Sequence, residues 1–297
     1  MTPREEAVAT DLPRAVGGRL VVCPTPIGNL EDVTLRVLDA LREADAIACE
    51  DTRRTRVLLD RYALEGATQG GGRVDEFAGA LVSYHEHNEG ERARDLVARI
   101  QGGDVVALVS DAGMPLVSDP GWALLQECLA ASLEVEVLPG PSSVLTALVA
   151  SGLPVERWRF VGFLPRKRGD LERVLGESSE TLVAFESPAR LAATLGVLAA
   201  LDPARPVAVC RELTKLHEEV RRGGVAEVAA HYIEHPPRGE IVLVVGAAAA
   251  ASVDRDEALT ALRALVDAGA RARPAATVVA KLTGVSANEL YRGLTAS

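Results

Sequence analysis

Long apolar runs are missing from this 297-residue chain: none reaches the roughly 20 residues that a membrane-crossing helix needs. The longest candidate, Ile241 to Ala251, reads as a strand running into an alanine-rich exit, so no membrane partner is expected. The first 18 residues lack the apolar core of a signal peptide and mix charges with Pro3, Pro13 and Gly17-Gly18. They read as a disordered leader on a cytoplasmic protein. Cysteine is scarce too: Cys23, Cys49, Cys128 and Cys210 are far apart, and three of them sit in or beside apolar runs. Neither a disulfide framework nor a zinc site is expected from that spacing. Excess positive charge is absent, with 32 Lys and Arg against 42 Asp and Glu. A net charge of −10 argues against indiscriminate binding to nucleic acid, which leaves locally gathered cations to be weighed. Only 3 of the basic residues are Lys, a bias that suits planar phosphate recognition but is better explained by a GC-rich genome.

A G-x-G-x-x-G cradle is also missing after the first strand, where Gly28 stands alone near Pro24 and Pro26. Glu50-Asp51, about 20 residues further on, occupies the place of a ribose-binding carboxylate, so a nicotinamide oxidoreductase stays as a minor alternative.

The hydrophobic pattern itself is regular. From Leu20 to Leu138 it predicts strand 20–23, helix 32–43, strand 45–49, helix 53–62, strand 81–84, helix 90–101, strand 105–109, helix 119–131 and strand 134–138. That alternation is the signature of a largely parallel sheet covered by helices on both faces. Gly66 to Gly79 interrupts it as a surface insertion. After the turn Pro139-Gly140-Pro141-Ser142-Ser143, further apolar runs at 160–163, 182–185, 206–210 and 240–245 predict a second α/β domain. Asp254 to Ser297 changes character. A helical stripe at Leu259, Leu262, Leu265 and Val266 is closed by Gly269, Pro274 opens a second helix, and Ser286 with Glu289 reads as a capping box for a third. The expected organisation is a leader at 1–18, α/β domains at 19–139 and 140–250 with a cleft between them, and a helical, helix-turn-helix-like domain at 251–297.

Ligands of an open α/β sheet bind outside the carboxyl ends of its strands, which directs attention to two loops. One is Pro24-Thr25-Pro26-Ile27-Gly28-Asn29-Leu30; the other is Ser110-Asp111-Ala112-Gly113-Met114-Pro115 and onward to Gly121. Their glycines and prolines set special backbone angles and leave peptide groups free to face a ligand. Nearby lie two polar groups. Arg53, Arg54 and Arg56 place three cations at a strand-to-helix junction, suited to a phosphate backbone, although pairing with Glu50 and Asp51 on a solvated face explains such a run, taken alone, more simply. His85 and His87, two apart, have no third ligand spaced to join them, so no metal is expected and a hydrogen-bonding role is preferred. Pro165-Arg166-Lys167-Arg168 forms a second basic knot, and the two knots together suit the rims of a selective RNA-binding cleft on an acidic protein.

These blocks, with Glu186-Ser187-Pro188, Arg211-Glu212-Leu213-Thr214-Lys215 and Gly239-Glu240, resemble the tetrapyrrole methylase superfamily from about Leu20 to Val245. The Glu50–Arg53 and His85–Glu89 blocks resemble the branch that methylates a ribose 2′-oxygen of small-subunit ribosomal RNA. The resemblance implies S-adenosylmethionine as cofactor, lined by Pro26, Gly28, Ser110, Asp111, Ala112, Gly113, Met114, Pro115, Ser142, Ser143 and the Ala184 region. It also implies a decoding-region cytidine in the assembled small subunit as substrate, and a homodimer. Met114 departs from the group's usual small residue, and Ala189 from its commoner histidine.

A ribose hydroxyl is a weak acid and must lose its proton around the moment of attack. His85 or Glu86 is the expected base, and Arg53 or Lys215 the expected electrostatic partner; the sequence does not rank them. RNA contacts are expected from Arg53, Arg54, Arg56, Arg166, Lys167 and Arg168. Two other readings are C-methylation of a tetrapyrrole intermediate and a non-catalytic RNA-binding assembly factor.

Overall fold

The computed structural model describes residues 17–62, 81–176, 178–248 and 255–295. Nearly all of the expected leader and all of the Gly66–Gly79 insertion lie outside these. The chain divides into two compact units, one of Met1–Thr146 with Leu213–Leu216, the other of Ala147–Glu212 with His217–Ser297.

The first unit holds β1 (Arg19–Cys23), β2 (Ala46–Cys49), β3 (Leu81–Ser83), β4 (Val105–Val109) and β5 (Glu134–Val137) in the order β3-β2-β4-β1-β5. Every pairing is parallel. A parallel sheet is covered on both faces, which is why its strands read as unbroken apolar runs. Side chains alternate between the two faces. Val21, Cys23, Ile47, Cys49, Ala107 and Val109 pack under α1 (Leu35–Glu43) and α2 (Thr52–Arg61). Leu20, Val22, Ala46, Ala48, Val106 and Leu108 pack under α3 (Glu89–Gln101) and α4 (Trp122–Ala130). Each fully buried leucine or valine contributes about 1.5–3 kcal/mol, so neither face can be lost.

Two helices begin later than their hydrophobic patterns suggest. Asp32 belongs to a short 3-10 turn at Leu30–Asp32, and α1 starts only after Thr34, whose Oγ1 accepts the Val37 amide at 3.2 Å. Likewise α4 starts at Trp122 because Gly121 has φ of 137°, which no helix tolerates.

The second unit carries a mixed sheet. Its strands are β6 (Trp158–Phe163), β7 (Thr181–Glu186), β8 (Pro206–Arg211), β9 (Glu219–Gly224) and β10 (Ile241–Val245), in the order β6-β7-β10-β8-β9. β6 pairs in parallel with β7, while β10 runs antiparallel to β7 and β8. One face is covered by α6 (Arg168–Gly176), α7 (Pro188–Leu201) and α8 (Val225–Glu234) around Leu175, Leu191, Leu195, Leu198 and Val228. α5 (Ser143–Ser151) runs across the division of the chain. The C-terminal helices α9 (Arg255–Asp267), α10 (Ala272–Thr283) and α11 (Ala287–Thr295) share a small core of Ala258, Leu262, Ala276, Val279 and Leu290. No helix among the described residues is long and apolar enough to cross a membrane.

Candidate active site

Because all five strands of the first sheet run the same way, their carboxyl ends share one edge. Residues 24, 50, 84, 110 and 138 leave the sheet there, carrying every sequence-predicted site residue of that unit except Lys215. The two ligand loops are joined directly. Thr25 and Gly113 exchange backbone hydrogen bonds of 2.9 Å in both directions, and the Thr25 hydroxyl donates to the Ser110 carbonyl at 3.0 Å. The Ser110 hydroxyl donates to the Gly113 carbonyl at 3.2 Å, so this serine, 4% exposed, shapes the loop from inside. A third loop closes in: a Cβ on Gly140 would meet the Pro24 ring at 2.8 Å.

The segment Leu213–Leu216 meets the same edge. The Asn29 amide donates to Thr214 Oγ1 at 3.0 Å, and a side chain on Gly28 would collide with Lys215, Thr214 and the Leu213 carbonyl. Glu212 and Thr214 take positive φ of 50° and 64°, and Leu116 and Ser118 do the same at 70° and 67°. Left-handed backbone at ordinary residues is strained and gathers where a loop is over-determined.

A cleft of ≈ 450 Å³ is lined by Ile27, Asp32 and Thr34 after β1, by Gly140, Pro141, Ser142, Leu145 and Thr146 after β5, and by Thr214; the Ser110–Gly121 loop braces this wall through Thr25 and supplies none of its lining. Its walls mix apolar side chains with hydroxyls. Of the expected cofactor residues, Ser142 lines the cleft, while Pro26 and Pro115 are buried in the converging loops and Gly28 is exposed. Ser143 opens α5, and Ala112 is half-buried. Met114 packs against the apolar core beneath the sheet. Ala184, at 2% exposure, belongs to the core of the second unit, opposite Leu243 on β10. Asp32, Thr34, Thr146 and Thr214 were not singled out from sequence. Only Thr214 lies in a quoted block, and a lone threonine carries no pattern of its own.

The polar groups that follow β2 and β4 are interlocked. Asp111 accepts the Asp51 amide at 3.0 Å and faces Arg54 at 3.4 Å. Asp51 caps α2 and grips Arg53 through 3.0 and 2.8 Å contacts, which holds its carboxyl down at about 2. Arg53 is therefore paired, as the solvated-face reading allowed, whereas Arg56 makes no ion pair among the described residues. Burial, then the charges of Glu50 and Asp111, push Asp119 up to about 6 against hydrogen bonding from Ser110. Glu50 is raised for the same two reasons, burial first and Asp111 second. Asp119 was not predicted as a site residue, and Glu50 only as the ribose carboxylate of the nicotinamide alternative.

His85 is half-buried and tied to Asn88. Its amide donates to Asn88 Oδ1 at 2.9 Å, and its Nε2 lies 3.3 Å from Asn88 Nδ2. Its Nδ1 is buried and has no partner among the described residues. His87 stacks edge-on to it at 5.9 Å, and Glu86 is exposed. In the second unit Arg166, Lys167 and Arg168 stand exposed at the start of α6, with Arg168 paired to Glu172 at 2.7 Å.

The family model for Tetrapyrrole (Corrin/Porphyrin) Methylases matches residues 19–229. A protein from Mesorhizobium japonicum, "Ribosomal RNA small subunit methyltransferase I", is 46% identical over 294 residues, covering 96% of this chain and 94% of that one. Proteins of the same name from Thermotoga maritima and Escherichia coli O157:H7 are 42% and 39% identical, covering 77% and 93% of this chain and 98% and 94% of their own. Among solved structures, uroporphyrin-III-C-methyltransferase from Thermus thermophilus superposes with a TM-score of 0.50 at 25% identity, over 77% of this chain and 94% of that one. Diphthine synthase shares the fold at a TM-score of 0.55 and 17% identity, over 77% and 90%. The chain belongs to the tetrapyrrole methylase family, and within it to the ribosomal RNA small subunit methyltransferase I family.

Proposed function

We propose that this protein transfers a methyl group from S-adenosylmethionine to a ribose 2′-oxygen of small-subunit ribosomal RNA. One observation carries the reading: the loops after β1 and β5 line one cleft, with the loop after β4 bridged to the first, in a chain 46% identical to a ribosomal RNA methyltransferase along almost its whole length. The cleft fits the cofactor. A volume of ≈ 450 Å³ lies within the range of small-molecule sites, its apolar walls at Ile27, Pro141 and Leu145 suit an adenine, and the hydroxyls of Thr34, Ser142 and Thr146 suit a ribose and a carboxylate. Bound there, the cofactor supplies a sulfonium-activated methyl group.

The chain's own residues supply position and proton handling. Holding the acceptor in line is worth up to roughly 7–11 kcal/mol in favourable cases. Of the two candidate bases, His85 is favoured over the exposed Glu86. With Asn88 Nδ2 donating to Nε2, the neutral ring carries its proton on Nδ1, which has no partner among the described residues and can donate to a substrate oxygen; to take the ribose proton the ring must release Asn88 and use the Nε2 lone pair. Lys215, whose side chain lies beside Gly28, and Arg53, which Asp51 engages, are the two candidate electrostatic partners. Arg54, Arg56, Arg166, Lys167 and Arg168 take the RNA backbone. The reading extends to a decoding-region cytidine in the assembled subunit and to a cytoplasmic homodimer.

The test supplies methyl-labelled S-adenosylmethionine with assembled small subunits, naked ribosomal RNA or a uroporphyrinogen. Label at one alkali-resistant RNA linkage is the expected result. Label in the tetrapyrrole, or RNA binding without transfer, would sink it in favour of a C-methyltransferase or an assembly factor.

A further inference from the structure

Only 4 of the 297 residues are phenylalanine, and one of them, Phe163 at the end of β6, is 65% exposed. Its position is set by the backbone. Phe160 pairs with Val183 and Phe163 with Phe185, so three steps along β6 match two along β7. In a regular strand residues three apart face opposite sides; one extra residue cancels the alternation. Gly162 lies within that irregular stretch at φ of 66°. Both rings therefore reach Phe185, at centroid distances of 5.1 Å and 5.3 Å. Phe163 is braced from one side and open on the other.

The chain that follows is equally fixed. Arg190 donates to the Leu164 carbonyl at 3.1 Å and to the Pro165 carbonyl at 2.7 Å, and is itself held 3.4 Å from Glu186, whose side chain is fully buried. This clamp presents Arg166 and Lys167, which are exposed and form no ion pair among the described residues. A braced aromatic ring next to two uncompensated cations, on a protein of net charge −10, has the chemistry of single-strand recognition: a π-face for a base and cations for its phosphates. An apolar protein partner would have to cover both cations without compensation.

We infer that Phe163 is a stacking platform for an unpaired nucleotide of the RNA substrate, with Arg166 and Lys167 holding the adjacent phosphates and Arg190 positioning them. This rests on the RNA reading given under Proposed function. The experiment compares wild type, F163L, F163W and the R166Q/K167Q double variant, whose melting temperatures confirm folding. Methylation kinetics are measured on assembled small subunits, and binding on a single-stranded RNA oligonucleotide carrying 2-aminopurine. F163L keeps apolar contact with Phe185 but removes the π-face. It is expected to raise KM for the subunit and Kd for the oligonucleotide on the order of tenfold, with kcat, cofactor affinity and the salt slope unchanged. F163W restores both. R166Q/K167Q flattens the salt slope by about 1.4, roughly 0.7 per phosphate contact on a single strand. Equal oligonucleotide affinity for wild type and F163L overturns the stacking site whether or not the wild type methylates. A wild type that transfers no label to any RNA removes the functional reading instead.

Discussion

Thr25 and Gly113 form an isolated antiparallel bridge, each donating its amide to the other's carbonyl at 2.9 Å across 88 positions of sequence. The bridge makes one frame of two loops that would otherwise move separately, and it depends on Gly113 holding φ of 82°. Space is not the constraint there: a Cβ would meet Ile27 Cγ2 at 3.5 Å and the Pro141 carbonyl at 3.8 Å, both ordinary contacts. The strain of left-handed backbone is, at about 1–2 kcal/mol for a residue with a side chain. Gly113→Ala is expected to weaken S-adenosylmethionine binding on the order of tenfold while the protein stays folded. Calorimetric titration showing wild-type affinity would mean the bridge does not shape the cleft.

His85 is held by one neighbour, Asn88, which accepts its amide, approaches its Nε2 and also donates to the Ser83 carbonyl at 3.0 Å. If His85 takes the ribose proton, His85→Ala lowers single-turnover rate by on the order of 10²–10⁴ and leaves cofactor affinity intact. Asn88→Ala, which only frees the ring, lowers it less. A His85→Ala protein with the wild-type rate excludes the role.

The first sheet was legible in sequence because doubly covered parallel strands are unbroken apolar runs, and β1, β2 and β4 fall within a residue of their expected ends. β9 was not. Glu219-Val220-Arg221-Arg222-Gly223-Gly224 is an edge strand with only one apolar residue, held by pairing with β8 alone. The same contrast runs through the site. Gly28, Gly113 and the prolines announce special backbone, but Asp119 and Glu50 matter through the burial and mutual repulsion that the fold creates, which no spacing encodes.

Arg205 gives a test of the second unit. It is 2% exposed, and its guanidinium donates to the carbonyls of Gly246 at 2.8 Å, Leu175 at 2.5 Å and Ser178 at 3.4 Å. Burial lowers its pKa, with Asp202 opposing. Among the described residues no carboxylate pairs with it, so carbonyl dipoles solvate the cation and it satisfies them in turn. Arg205→Met takes the guanidinium from the Gly246 and Leu175 carbonyls, at about 1–3 kcal/mol each when unrelieved, whereas the Ser178 carbonyl keeps the Ala248 amide at 2.8 Å. A loss on the order of 3 kcal/mol or more is expected in urea unfolding. A change under about 1 kcal/mol would show that water replaces the side chain.

Asp119 makes stability depend on pH in a defined direction. Its carboxyl titrates at about 6 in the folded chain against an ordinary 3.8, because burial and the charge of Glu50 disfavour ionisation. Below the ordinary value the group is protonated in both folded and unfolded chains, and its contribution to the native state is fully present. As the pH rises through about 6 the folded chain must ionise a carboxyl that the unfolded chain has already ionised, and that contribution is lost. Asp119→Asn removes the ionisation altogether. The melting temperature of the variant relative to wild type is therefore expected to climb between pH 4 and pH 7 and to level off above it. Scanning calorimetry across that range decides the matter: a difference that stays flat would mean that burial and the Glu50 charge do not hold Asp119 in its neutral form.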